Sequence, residues 1–292
     1  ARYFAKLYDE LGRPSDCAIV EGGAGEGRFA QGVLRALSSQ YPLLFNATHY
    51  YLHDLSEDSR ARARQTLHEF PDRVSYGMPE TPQTGIYFSN ELLDAFPVHR
   101  VVNEGELYVT LDHENKFTWS AGPLSKPRLA QFVEEHSIRL APGQTIEINL
   151  AIDDWLTSVA AKLEHGYVIT VDYGAESSEL YDPSLRRDGT LRAFSRHGFV
   201  DNVLSAPGEY DITSSVNWTQ VKAAGERLGF EVVEFASQDR FLLSAGLLEE
   251  LQKGLQQIEK EADKMRLTTG AREMILPGGM ASSFQVLVQK RR

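Results

Sequence analysis

Residues 19–28 read Ile19-Val20-Glu21-Gly22-Gly23-Ala24-Gly25-Glu26-Gly27-Arg28. A short apolar run ends in an acid, glycines recur at positions 23, 25 and 27, and an amphipathic helical pattern begins. Physically this is a strand, a tight turn and a helix start. Glycine removes a Cβ where the backbone must take φ > 0 or press against a ligand. The helix N-terminus adds N–H groups without intrahelical partners. The stretch predicts a turn that holds a nucleotide-like cofactor.

The spacing narrows the cofactor. A dinucleotide turn wants G-x-G-x-x-G, with a phosphate over the helix end. Counted from Gly23, the third glycine of that pattern falls on Arg28, and the glycine stands one residue early at Gly27. With Glu21 in front, G-x-G-x-G resembles motif I of class I S-adenosylmethionine-dependent methyltransferases. That cofactor has no pyrophosphate, but it has a cationic methionine end that a strand-tip carboxylate attracts. A second strand, Thr48 to Asp54, also ends in an acid, 31 positions after Gly23. A dinucleotide fold puts its acid about 20 residues on. A carboxylate at Asp54 can take both ribose hydroxyls. Alone, either acid reads as a solvated strand-end carboxylate, so the argument rests on the whole β–turn–α–β frame. Expected cofactor contacts are Glu21, Gly22, Gly23, Gly25, Gly27, Asp54, Leu55 and Asn90.

Outward from the turn, the first ninety residues alternate strand and helix. Phe4 to Leu11 reads as a helix and Cys17 to Glu21 as the first strand. Arg28 to Tyr41 is a helix with Phe29, Val33, Leu34 and Leu37 on one face. Ser56-Glu57-Asp58 caps another helix. Val74 to Tyr76 and Ile86 to Ser89 are further strands. This rhythm means a parallel sheet with helices on both faces. Three alternating segments (98–103, 106–111 and 116–121) then read as an inserted antiparallel meander. Helices over 126–138 and 151–163, a fifth strand over 167–171, a helix over 218–228 and strands at 230–235 and 284–288 complete the pattern. The expected fold class is α/β, and the motif I resemblance implies a Rossmann-like, class I methyltransferase seven-stranded sheet, here with the antiparallel β-meander and helical additions inserted. The expected organisation is a first half of the cofactor domain over 1–97, an insertion over 98–150, and a second half over 151–292. That second half carries a polar loop at 181–216 on the substrate side and a helical insertion at 241–266.

Composition bounds the partners. The chain has 292 residues, 42% hydrophobic, with a net charge of −11. Such an acidic chain lacks a phosphate-tracking surface, which argues against nucleic acid. No apolar run is long enough to cross a membrane. Cys17 is the only cysteine, so neither an internal disulfide nor a cysteine zinc site forms. No His/Asp/Glu spacing resembles a metal site, and His49, His53 and His99 read as structural. No Gly-x-Ser-x-Gly turn suggests a serine hydrolase. The chain opens Ala-Arg-Tyr-Phe-Ala without Met, so residues are expected upstream.

The fourth strand runs into Asn90-Glu91-Leu92-Leu93-Asp94-Ala95-Phe96-Pro97-Val98. In open α/β sheets ligands bind beyond the carboxyl ends of the strands. A helical turn over 91–95 would put Glu91 and Asp94 on one face, with Leu92 and Phe96 packed inward. Two carboxylates suit a guanidinium, a planar fork of donors. They can localise its charge, orient one nitrogen and accept its proton, so Glu91 and Asp94 are the catalytic candidates. The alternative is that these acids cap a helix. The polar loop adds Arg192, His197 and Asp211 as substrate-side candidates, although a loop histidine is more often a hydrogen-bonder.

Together these segments resemble the MidA-like methyltransferases, a family that includes the mitochondrial complex I assembly factor that methylates an arginine, and its bacterial relatives. The matching text comprises 20–27, 52–56, 90–98, Val171-Asp172-Tyr173-Gly174, Gly189-Thr190-Leu191-Arg192 and Pro207-Gly208-Glu209-Tyr210-Asp211-Ile212-Thr213. The first segment is generic to the superfamily, whereas Asn-Glu-x-x-Asp-x-x-Pro-Val and Gly-Thr-Leu-Arg are more specific. The resemblance implies S-adenosyl-L-methionine as cofactor and S-adenosyl-L-homocysteine as product. It implies a protein substrate with an exposed arginine, symmetric dimethylation and a respiratory NADH dehydrogenase subunit as target. It places the chain in the bacterial cytoplasm or the mitochondrial matrix and leaves a homodimer open. Asp54 stands where the family often has Glu. The rival readings are a small-molecule N- or O-methyltransferase, and a cofactor-binding assembly chaperone with little catalysis.

Overall fold

A computed structural model describes residues 1–195, 198–276 and 283–292. The chain forms two compact units. The first comprises Ala1–Leu92, Thr157–Asp172 and Gly225–Arg292, and the second Leu93–Leu156 and Tyr173–Ala224. The polar loop thus groups with the meander, whereas the sequence pattern had run the cofactor domain straight through 151–292.

The first unit opens with α1 (Arg2–Glu10), β1 (Cys17–Gly22), α2 (Arg28–Gln40), α3 (Pro42–Ala47), β2 (Thr48–His53), α4 (Glu57–Thr66), β3 (Val74–Tyr76) and β4 (Gln83–Asn90). Strand β1 lies between β2 and β4, parallel to both, with Ile19 opposite Tyr50 and Ile86. It is buried along its whole length, as a central parallel strand covered on both faces should be. On α2 the buried residues are Ala30, Val33, Leu34 and Leu37. Phe29, expected on that face, is instead 43% exposed. Pro42 sits at the first position of α3, where its missing N–H costs nothing. Helix α4 is capped as its sequence predicts, the Ser59 N–H donating to Ser56 Oγ at 3.2 Å.

The second unit begins with β5 (His99–Val102), β6 (Gly105–Leu111), β7 (Phe117–Gly122), α5 (Pro127–Glu135) and β8 (Ile146–Ile148), and includes the start of α6 (Ala151–Lys162). The expected meander is present, and β8 extends it to a four-stranded antiparallel sheet in the order β7-β6-β5-β8. Val101, Ile146 and Ile148 pack with Leu129 and Phe132 of α5 into its core.

Strand β9 (Leu163–Ala175) runs on past the pattern 167–171. It is followed by α7 (Ser177–Leu180), β10 (Arg192–Ser195), β11 (Gly198–Val200), β12 (Asp211–Thr213), β13 (Val216–Asn217) and α8 (Trp218–Arg227). The segment 181–216, expected as a loop, therefore holds a three-stranded antiparallel sheet, β11-β10-β12. Its strands are only three or four residues long, too short for alternation to register in a polar sequence.

The chain closes with β14 (Phe230–Ser237), α9 (Gln238–Ser244), α10 (Leu247–Gln257), α11 (Glu261–Glu273) and β15 (Phe284–Arg291). In the first unit the sheet order is β14-β15-β9-β4-β1-β2-β3. Strand β15 pairs antiparallel with β14, as a chain-ending antiparallel strand in this fold class should. The order reverses between β4 and β2 around β1, which is the crevice position for a ligand.

Candidate functional site

In the first unit a cavity of about 560 Å³ is lined by Glu21, Gly23, Phe29, Phe88, Asn90 and Val171, together with side chains of α1, α9 and α10. Glu21 ends the apolar run of β1 and is only 5% exposed. The hydroxyl of the fully buried Tyr50 donates to Glu21 Oε2 at 2.7 Å. Burial pushes the Glu21 carboxyl up to about 7, against the opposing pull of that hydrogen bond. A carboxylate so poorly hydrated favours a cationic partner. Phe29 and Phe88 stack with centroids 4.4 Å apart, and Phe4 meets Phe88 edge-on at 5.9 Å. These rings give the cavity an apolar wall.

The glycine turn folds as its spacing requires. Gly23, Gly25 and Gly27 have φ of +69°, +52° and +74°. At Gly27, the left-handed N-cap of α2, a Cβ would come within 3.0 Å of Leu67 and 3.3 Å of Ala63. The third glycine therefore serves close packing of the turn on α4. The Gly25 N–H donates to Asp54 Oδ2 at 2.9 Å, and the Ser56 N–H to Oδ1 at 2.8 Å. Asp54 thereby ties the turn to the start of α4. Of the expected cofactor contacts, the structure gathers Glu21, Gly23 and Asn90 on the cavity wall. Gly22 is buried behind Tyr87, and Leu55 is 89% exposed.

The segment after β4 is not the helical turn expected. Glu91 takes a left-handed φ of +49°, and its N–H donates to the Val171 carbonyl at 3.0 Å. That contact extends the β4–β9 ladder by one residue and turns the chain out of the sheet. Glu91 is exposed, and its Oε1 accepts from Asn90 Nδ2 at 3.1 Å. Asp94, by contrast, is buried, so the two acids do not share a helical face. Leu93, not Leu92, is the fully buried leucine.

In the second unit Asp94 lines a cavity of about 530 Å³ with Arg100, Glu106, Tyr108, Trp119 and Ile212. The Tyr173 hydroxyl donates to Asp94 Oδ2 at 2.5 Å. Arg100 stacks over Trp119 at 4.6 Å and donates from Nε to Glu147 at 3.2 Å. Glu147 also accepts from the Thr190 N–H at 2.5 Å. A Cβ on Gly189, whose φ is +78°, would fall 2.4 Å from the Glu147 carboxylate, which explains the glycine of Gly-Thr-Leu-Arg. Burial pushes Glu106 up, but the Ser125 N–H and His99 outweigh it and hold the carboxyl below its ordinary range. His99, read as structural, is the 2.6 Å partner of that acid. Arg192 and Asp211 are exposed on β10 and β12, while their neighbours Leu191 and Ile212 face the cavity. His197 lies outside the described residues.

Sequence reasoning missed Tyr50, Phe88 and Tyr173. The signal for Tyr50 was an aromatic polar residue in the middle of a buried strand, where its hydroxyl needs a partner. Among the described residues no cluster of His, Cys, Asp and Glu could hold a metal, and no helix is long and apolar enough to cross a membrane.

Residues 1–236 match a family model described as "putative S-adenosyl-L-methionine-dependent methyltransferase". Two crystal structures from Burkholderia thailandensis share the fold. One, a native structure, is 29% identical with a TM-score of 0.86, covering 99% of this chain and 77% of that one. The other holds S-adenosyl-homocysteine and is 28% identical with a TM-score of 0.85, covering 99% and 75%. A dry carboxylate, a positive-φ glycine and stacked aromatics suit a cofactor with a cationic amino-acid end. With the glycine turn at the crevice of a 3-2-1-4 parallel order and the match over residues 1–236, the chain belongs to the S-adenosyl-L-methionine-dependent methyltransferase family.

Proposed function

We propose that this methyltransferase acts on protein arginine, forming symmetric dimethylarginine on a subunit of a complex I type NADH dehydrogenase. The observation that carries this reading is the acidic segment after β4. It presents Glu91 on the surface of the first unit and Asp94, held by Tyr173, on the wall of a cavity in the second. The bound cofactor supplies an electrophilic methyl group on sulfur. A guanidinium is a weak nucleophile, and carboxylates can hold its charge on two nitrogens while the third attacks the methyl carbon. The carbon–sulfur bond breaks, its electron pair stays on sulfur, and a carboxylate accepts the proton released by nitrogen. The work of the protein is positioning and electrostatics.

The test supplies methyl-labelled cofactor with intact candidate subunits and arginine peptides, followed by mass spectrometry. Label on arginine, lost in Glu91→Gln while S-adenosylhomocysteine still binds, supports the reading. Label on no arginine overturns it. The second cavity has the size of a small-ligand pocket, so label on a small amine or hydroxyl would favour a small-molecule acceptor.

A further inference from the structure

We propose that Tyr50 is the positioning residue for Glu21, its buried hydroxyl fixing that carboxylate as the anion that receives the cofactor's cationic methionine end. The inference rests on Glu21 as a cofactor contact. Tyr50 stands in the middle of β2, opposite Ile19 of β1, and is among the largest fully buried side chains. A buried tyrosine hydroxyl needs an acceptor, and a buried carboxylate needs a donor. The 2.7 Å bond between them answers both needs from within the core, so Glu21 is aimed before any ligand arrives. Burial and the Glu21 charge raise the Tyr50 hydroxyl well above its ordinary range. It therefore stays a neutral donor through the range in which Glu21 titrates.

A proton linkage follows. Glu21, pushed by burial to about 7, exchanges its proton near neutrality in the free protein, and only its ionised form attracts a cation. Cofactor uptake then expels a proton below neutral pH, and affinity rises through pH 7 before levelling. The other titratable groups on the cavity wall are the Ala1 amino group, which burial lowers to about 6, Arg2 and Tyr3 of α1, Tyr41 after α2 and Glu250 of α10. Around the crevice, His53 ends β2 and Asp54 follows it, Tyr87 lies on β4 and Glu91 follows that strand. Burial raises Glu21, and the Tyr50 bond pulls it part of the way back.

The test is calorimetric titration with S-adenosylhomocysteine from pH 5.5 to 8.5 on wild type, Tyr50→Phe and Glu21→Gln. Removing the donor moves the midpoint for Glu21 upward. For a move of about one pH unit, Tyr50→Phe binds roughly fivefold more weakly than wild type at pH 7 and within about twofold at pH 8.5. The KM for cofactor rises at pH 7, while kcat at saturation holds. A deficit in Tyr50→Phe that is the same at every pH marks a packing role only and overturns the proposal. Glu21→Gln should bind weakly with a flat profile. If it binds like wild type, the reading of Glu21 as a contact falls instead. Should Tyr50→Phe fail to fold, wild type still decides, measured in buffers of different ionisation enthalpy. About half a proton released at pH 7 and none at 8.5 supports the linkage, and none at pH 7 overturns it.

Discussion

Replacing Glu21 by glutamine should make the protein more stable and less able to bind its cofactor. Burial raises the Glu21 carboxyl in the folded chain from an ordinary 4.5 to about 7. The folded state therefore holds this proton more tightly than the unfolded state does. Between those pH values unfolding releases the proton, so stability falls as pH rises, and the full cost is present above pH 7. At about 1.4 kcal/mol per pH unit, an ionised Glu21 costs the folded protein on the order of 3 kcal/mol at pH 8. Glutamine keeps an amide oxygen that can accept from Tyr50, so the buried hydroxyl keeps its acceptor. Urea unfolding should then find Glu21→Gln more stable than wild type by about 2–3 kcal/mol at pH 8, with the gap closing toward pH 5. Saturating S-adenosylhomocysteine should restore wild type but not the variant. A variant less stable than wild type at pH 8, or a gap that does not change with pH, would refute the claim that Glu21 is held strained for a cation.

Gly27→Ala should cost about 3 kcal/mol, combining a left-handed alanine with crowding against α4. Gly25→Ala, at φ +52° with open space around it, should cost only about 1–2 kcal/mol. Equal losses on thermal melting would contradict the packing role given to Gly27. Glu147→Ala removes the carboxylate partner of the Arg100 guanidinium and leaves the Thr190 N–H without its acceptor. It should destabilise the protein by about 3–5 kcal/mol and speed amide exchange at Thr190, where unchanged protection would count against the anchor. Glu91→Gly relieves a left-handed backbone and should leave stability equal or higher by about 0.5–1 kcal/mol while methyl transfer is lost. Retained transfer would remove Glu91 from the chemistry.

The parts of the fold that followed from the sequence are those governed by strong periodicity. Val33, Leu34 and Leu37 mark the buried face of α2, the apolar run before Glu21 marks a central strand, and the turn glycines sit at positive φ. Phe29 fits the same helical period yet faces the cavity, because periodicity gives a direction on the helix and not what lies opposite. The acids after β4 were legible as a motif but not as a shape. Glu91 continues the ladder with Val171 instead of opening a helix, and a bond across strands leaves no local trace. Tyr50 and Glu21 are 29 residues apart, and only the parallel register of β1 with β2 brings them together. The short strands within 181–216 are set by tertiary pairing, which overrides a polar composition.

In this reading the first unit's cavity holds S-adenosylmethionine by its amino-acid end. A crystal structure of the protein with S-adenosylhomocysteine is the decisive measurement. The homocysteine ammonium should lie within hydrogen-bond reach of Glu21, beside Gly23 and the Phe29–Phe88 stack. Ligand density away from that cavity, or a homocysteine end pointing away from Glu21, would overturn the role given to Glu21.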